Sequence, residues 1–226
     1  VEVKEKVSAP ANMTADDVLK KYVSAIGGEK ALNGIKDLKV VMEGSLQGQK
    51  LTLTEIKKAP NKVMESVSMS GMTIQKMVFD GTKGYQEQQG QKQELADKDL
   101  KDAQEKADIQ ADLHPVKYGI KHTLVGVEQV NGKDAYKLEA VKGDDKSIEY
   151  YEVATGYLVK KVETAQMPDG SSMSLATEMG DYQEIPGSNG YKIPYSIKIP
   201  IGPGMSIDAK VVTAEVNKNI ADSEFQ

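Results

Sequence analysis

The residues able to carry out acid–base or metal chemistry are few in this chain. Among 226 residues there are two histidines, His114 and His122, and no cysteine. Pro115 and Gly119 lie between the histidines, and no carboxylate does. This spacing does not match a zinc motif, in which two histidines share one face of a helix. With few partners visible, we interpret His114 as a loop residue rather than a general base. The sequence therefore predicts no catalytic residue, no metal ligand and no cofactor.

A second candidate for metal chemistry is the acidic pair Asp144-Asp145 together with Asp134. A calcium loop of the common type has the spacing Asp-x-Asp-x-Asp-Gly and a distant glutamate that binds through both oxygens. These aspartates do not have that spacing. We therefore interpret them as part of a solvated turn.

Composition argues against two classes of protein. The net charge of −5 argues against a nucleic-acid binder, because such proteins need a basic face. No apolar run approaches the roughly 20 residues that a transmembrane helix requires, so no transmembrane segment is expected. The absence of cysteine removes disulfides and thiolate nucleophiles, and it is compatible with an oxidising periplasm.

Hydrophobic periodicity predicts a helix followed by a long run of strands. Val18, Tyr22 and Ile26 recur every four residues, and Gly27-Gly28 ends the helix. From Leu38 onward the period changes to two, with turn signals roughly every 8–12 residues. The sequence predicts a mainly β (α+β) chain: one strongly curved antiparallel sheet, or half-open barrel, of about 11–12 strands.

The run of strands is interrupted once, at about residues 94–113. Good helix formers dominate there, and a weakly apolar side is formed by Leu100, Ala103, Ala107 and Ala111. Because this apolar side is thin, we expect a lid-like helix that lies on the surface of the sheet.

Alternation along the strands predicts which side chains could line a cavity. By strand parity, these are Leu38, Val40, Met42, Leu51, Leu53, Val67 and Met69. The chain has ten methionines. Flexible thioethers suit a surface that accepts variable apolar partners such as acyl chains, but methionines are also common fillers of a core. Both interpretations remain open at this point.

Several segments resemble the lipoprotein-carrier-like (LolA/LolB-like) superfamily. They are DDVLKKYVSAIGGEKALNGIKDL, APNKV, VFDGTKGY, VNGKDAYKLEA, YYEVATGYLVKKVE and YKIPYSIKI, from about Asp16 to Asn217. The resemblance implies a half-open antiparallel barrel with a helical lid, a lipid-holding cavity, and a location in the periplasm or cell envelope. More narrowly, the chain resembles the C-terminal domain attached to insulinase/pitrilysin-type zinc peptidases of Bacteroidetes. The corresponding division is a linker at 1–13, the half-barrel domain at 14–217 and a tail at 218–226.

The resemblance leaves two hypotheses about function. The first is a non-catalytic envelope domain, exported by a signal sequence outside these residues, that holds a lipid acyl chain or an apolar peptide. The alternative is an accessory domain that positions substrates or docks upstream peptidase domains without binding lipid. The His-x-x-Glu-His zinc motif of those peptidases is absent here, so no catalytic residue carries over. An independent enzyme is the least supported interpretation, since no acid–base pair or metal cluster is visible.

Overall fold

The structure is a computed structural model that describes residues 9–166, 170, 172–202 and 204–226. The first eight residues of the predicted linker lie outside this range. The α-helices are α1 (Ala15–Ala25), α2 (Gly28–Asn33) and α3 (Asp97–Ala107). Single 3₁₀ turns cover Ala111–Leu113, Pro115–Tyr118 and Asp222–Phe225. No helix in the described ranges is both long enough and apolar enough to cross a membrane.

Most of the chain is β-strand. The strands are β1 (Asp37–Leu46), β2 (Gln49–Lys58), β3 (Lys62–Met69), β4 (Met72–Phe79), β5 (Gly84–Gln88), β6 (Gln91–Glu94), β7 (Ile120–Val130), β8 (Lys133–Lys142), β9 (Asp145–Glu152), β10 (Leu158–Gln166), β11 (Ser172–Glu184), β12 (Lys192–Gly202) and β13 (Met205–Val216).

All of these strands belong to one antiparallel sheet. Their order is β6-β5-β4-β3-β2-β1-β13-β12-β11-β10-β9-β8-β7, so β6 and β7 form the two edges and the sheet does not close into a barrel. The predicted single antiparallel sheet with an N-terminal helix is confirmed. The described residues form 13 strands rather than 11–12. The prediction missed β6, because its four exposed residues, QKQE, have no apolar alternation.

A capping box fixes the start of helix α1, and a glycine with a positive φ follows its end. The side chain of Thr14 accepts a hydrogen bond from the backbone N–H of Asp17, and the Asp17 carboxylate accepts one from the Thr14 N–H at 3.0 Å. This capping box satisfies N–H groups that have no partner within the helix. At the other end, Gly27 has a φ of +123°, and a Cβ there would lie 2.5 Å from the carbonyl oxygen of Gly190. Only glycine fits this turn between α1 and α2.

The helices pack on one face of the sheet, which we call the inner face. On β1, Leu38 and Val40 belong to the same buried cluster as Leu32 of α2. On β8, Leu138 belongs to a cluster with Val18 of α1. Because directly paired residues of adjacent strands point to the same side of a sheet, the strand register assigns further residues to this inner face.

The segments at the two ends of the described chain also pack against it. Ala9 and Met13, within the predicted linker, are partly buried against the cluster around Val18. The predicted tail at 218–226 contains Phe225, which is 1% exposed. Its neighbours in the buried cluster are Ile56, Met64 and Val78.

Candidate functional site

A pocket on the inner face is formed by the first strands of the sheet. Met42 of β1 pairs with Leu53 of β2, and Leu53 pairs with Val67 of β3. These three side chains therefore stand side by side on one face. With Met77 of β4 they line a pocket of about 260 Å³. The pocket offers a mainly apolar wall that remains partly accessible to solvent.

The other side chains predicted to line a cavity lie elsewhere. Leu38 and Val40 are 3% and 6% exposed and belong to the core beneath α2. Leu51 is also buried, and its partner Met69 is half-buried near the end of β3. The structure thus brings Met42, Leu53 and Val67 together at the pocket and leaves the remaining four outside it.

Two carboxylates also line the pocket. Glu55 and Glu65 are directly paired in the register of β2 and β3, next to the pair of Leu53 and Val67. Sequence reasoning missed both residues, although Glu55 shares the parity of Leu53 and that parity could have identified it. Lys57 Nζ lies 3.5 Å from Glu55 Oε2, and Lys106 Nζ lies 2.8 Å from Glu65 Oε2.

Helix α3 lies over the inner face beside this pocket. Its buried residues Ala103 and Ala107 pack against Val63 and Phe79 of β3 and β4, and Leu100 packs at the edge of the same cluster. Ala111 lies beyond the helix, which ends at Ala107. The predicted apolar stripe thus lies within α3 except for its last member.

Ion pairs connect α3 to the far side of the sheet. Lys142 at the end of β8 lies 2.8 Å from Asp102 and 2.5 Å from Glu105, both on α3. Lys98 of α3 lies 2.6 Å from Asp145 at the start of β9. The helix therefore bridges strands from the two ends of the sheet.

A hydrogen-bonded group lies on the inner face of β7 to β9. Glu149 Oε2 lies 3.2 Å from Nε2 of His122, which is 8% exposed, and accepts a hydrogen bond of 2.8 Å from the Tyr151 hydroxyl. Burial by itself would raise the pKa of Glu149. The contacts with His122 and Tyr151 outweigh burial and hold that pKa below its usual value. This group is a satisfied polar wall rather than an exposed catalytic pair.

Asp112 lies in the 3₁₀ turn that follows α3, beside Tyr22 of α1. The hydroxyl of Tyr22 lies 3.4 Å from its carboxylate. Burial raises the pKa of Asp112, against the opposing fields of Lys57 and Lys161. Its side chain nevertheless remains accessible to solvent. Asp112 also lines an open groove of about 410 Å³ together with Leu19 of α1 and Pro115.

The remaining candidates for acid–base or metal chemistry are His114 and the other carboxylates. His114 is exposed between two 3₁₀ turns, as expected of a loop residue. Across the described ranges, no group of three or more His, Asp or Glu side chains is arranged to hold a metal ion.

A second, larger groove of about 520 Å³ lies on the outer face. It is lined by a row of charged residues, Glu178, Lys198 and Asp208, which are paired across β11, β12 and β13. Opposite charges at directly paired positions of a sheet attract one another, and this row makes part of the groove charged. We therefore take the apolar pocket on the inner face as the candidate site.

Comparison with known proteins gives a structural likeness without a match in sequence. No family model matches the chain, and no curated protein matches it. A LolA superfamily protein from Nitrosomonas europaea is similar in structure, with a TM-score of 0.60 and 14% identity; the match covers 95% of this chain and 98% of that one. A DUF1329 family protein from Desulfovibrio piger has a TM-score of 0.58 and 10% identity, over 93% and 96% of the two chains. The chain therefore has a LolA-like fold.

Proposed function

We propose that this chain is a non-catalytic binding domain of the periplasm or cell envelope that holds an acyl chain in the pocket on its inner face. The observation that carries the proposal is the cluster of Met42, Leu53, Val67 and Met77 around a partly open pocket. Apolar side chains around an open pocket leave apolar area in contact with water. An acyl chain would remove that area from water.

The binding energy would come mainly from the hydrophobic effect. Each Å² of apolar surface removed from water contributes about 25 cal/mol. Methionines at two of the four apolar positions suit chains of variable shape, because the thioether side chain is flexible. No acid–base step is needed for this function, and the polar wall around Glu149 is satisfied internally.

Helix α3 would act as the lid of the pocket. It contacts the pocket directly through Lys106, which reaches Glu65. A helix that is held by a thin apolar stripe and by ion pairs can move away from the sheet at lower cost than a strand within it. Movement of α3 would then control entry to the pocket.

The LolA-like fold supports the first hypothesis at the level of architecture. The envelope location and the acyl-chain ligand belong to this proposal. The accessory role beside a zinc peptidase remains the alternative, and the same experiment separates the two.

The test is native mass spectrometry of the purified protein, followed by solvent extraction and lipid analysis. We expect a bound species of defined mass, or binding of added 1-decanol measured by displacement of an apolar fluorescent dye. The double variant Met42→Gln/Leu53→Gln should lose this binding. Thr52→Gln is the matched control, since Thr52 neighbours Leu53 on the same strand but points to the outer face.

A protein that carries no lipid and ignores added decanol would overturn the proposal. That result would favour the accessory role, which requires no ligand in the pocket. Loss of binding in Thr52→Gln to the same extent as in the double variant would also contradict the assignment of the pocket.

A further inference from the structure

Two acidic side chains lie opposite each other in the pocket, whose lining also includes the polar residues Thr54, Ser66 and Gln75. Glu55 and Glu65 are directly paired in the register of β2 and β3, and both line the pocket beside Leu53 and Val67. Like charges directly opposite each other on one face of a sheet are unfavourable. A cation near both carboxylates relieves that repulsion.

Each of the two glutamates has one lysine near it, and the two lysines differ in distance and in the element that carries them. Lys57 lies on the same strand as Glu55, and its Nζ remains 3.5 Å away, which is an ion pair without a close hydrogen bond. Lys106 lies 2.8 Å from Glu65 but belongs to α3, and its side chain is 52% exposed. The close cation of the pocket is therefore supplied by the lid rather than by the pocket wall.

The size of the pocket limits the apolar part of an occupant. A volume of about 260 Å³ lies just below the roughly 300–1,000 Å³ typical of pockets for drug-sized ligands. Such a space accepts one short chain or the end of a longer one, and not the whole of a two-chain lipid. Met42, Leu53, Val67 and Met77 form the apolar part of its lining, and Glu55 and Glu65 lie next to them.

We propose that the occupant is a single-chain amphiphile with a cationic ammonium group. Its chain lies against Met42, Leu53 and Val67, and its ammonium group lies between Glu55 and Glu65. This inference rests on the proposed function and specifies the ligand class. The ammonium group replaces Lys106 at Glu65, so occupation of the pocket releases one of the contacts that hold α3.

The test compares three probes of equal chain length: decylammonium, 1-decanol and decanoate, each below its micelle-forming concentration. Binding is measured by displacement of an apolar dye from the full chain. We expect decylammonium to bind up to about fivefold more tightly than decanol, the factor given by roughly 1 kcal/mol, the upper end for a solvent-accessible ion pair. Decanoate should bind more weakly than decanol because the carboxylates repel it.

Variants assign the preference to the two glutamates. Glu55→Gln/Glu65→Gln should bind decylammonium and decanol about equally while retaining decanol affinity. Glu43→Gln is the matched control, because Glu43 lies on β1 in the parity opposite to Met42 and pairs with Lys50. This control should keep the full preference for the ammonium probe.

The outcomes separate the inference from the proposed function. Equal binding of the three probes, or a preference for decanoate, would overturn the inference while leaving an acyl-chain site in place. A preference for decylammonium that persists in the double variant would also overturn it. Failure of all three probes to bind would overturn the proposed function and the inference together.

Discussion

Helix α3 is held by two walls that differ in chemistry. The first wall, on β3 and β4, offers the fully buried side chains of Val63 and Phe79 to Ala103 and Ala107 of the helix. The second wall, at the turn between β8 and β9, holds the helix through ion pairs of Lys142 and Asp145 with residues of α3. We call these the apolar wall and the charged wall.

The difference determines how the lid can open. Burial of apolar area is insensitive to moderate salt, whereas exposed ion pairs are screened and contribute little. We therefore expect α3 to separate from the charged wall first and to remain attached to the apolar wall. A lid of this kind opens on one side, as if hinged along β3 and β4.

The largest loss of stability is expected from truncating Phe79, a buried residue of the apolar wall. Phe79→Ala should lower the free energy of unfolding by about 3–5 kcal/mol, because it leaves a cavity beneath α3. Urea unfolding followed by circular dichroism measures this change. Val125→Ala is the control, since Val125 is 57% exposed, and it should change stability little. A cost for Phe79→Ala as small as that of the control would show that the apolar wall does not seat the helix.

An intermediate loss of stability is expected from changing Glu149, which contacts His122 and Tyr151 on the inner face. The contacts of Glu149 with His122 and Tyr151 hold its pKa below the usual value, so its ionised form stabilises the folded state. That stability is fully present above the pKa of an unfolded glutamate, about 4.3, and is lost as the pH falls through the lower folded pKa. Glu149→Gln should cost about 1–3 kcal/mol at neutral pH, because it weakens two buried contacts.

The pH dependence provides the measurement for this prediction. Unfolding free energies between about pH 3 and pH 7 should converge for wild type and Glu149→Gln as the pH falls below the usual glutamate pKa. Glu94→Gln, which alters an exposed residue of the edge strand β6, should run parallel to wild type. A difference between wild type and Glu149→Gln that stays constant down to the lowest pH would contradict the proposed linkage.

The smallest change in free energy is expected from removing an ion pair of the charged wall, which loosens the attachment of α3 to the sheet. Lys142→Met removes contacts with both Asp102 and Glu105, and should cost the attachment of α3 about 1 kcal/mol or less. Hydrogen exchange of the amides in α3 should become several-fold faster at low salt, as this energy implies, and the difference should shrink at high salt.

An ion pair that does not involve α3 supplies the control. Lys50→Met removes the contact of Lys50 with Glu43, between β2 and β1, and should leave exchange in α3 unchanged. Exchange in Lys142→Met that matches wild type at every salt concentration would show that the charged wall does not hold the lid.

The sequence predicts the architecture better than it predicts the site. Local signals located α1, most of the strands and the centre of α3, because helix and strand periodicities are visible over short windows. They missed β6, an edge strand of four polar residues whose stability comes from pairing with β5 alone. They also extended the stripe of α3 to Ala111, beyond the end of the helix at Ala107.

The site is harder to predict than the fold because its residues come from strands that are far apart in the sequence. Strand parity places Met42, Leu53 and Val67 on one face, but it does not show which residues α2 covers, so it predicts Leu38 in the cavity as well. The contact between His122 and Glu149 depends on the pairing of three strands, β7 to β9. Such contacts are set by register across the sheet, which short-range patterns do not contain.

The order of the strands has a consequence for how the molecule folds. From β1 to β6, and again from β7 to β13, every strand pairs with its neighbour in sequence, so each half can form through local hairpins. Pairing of β1 with β13 joins Leu38 to Val216 and closes a loop that spans nearly the whole chain. Because closing long loops costs entropy before contacts compensate for it, we expect this seam to form last and to limit the rate of folding.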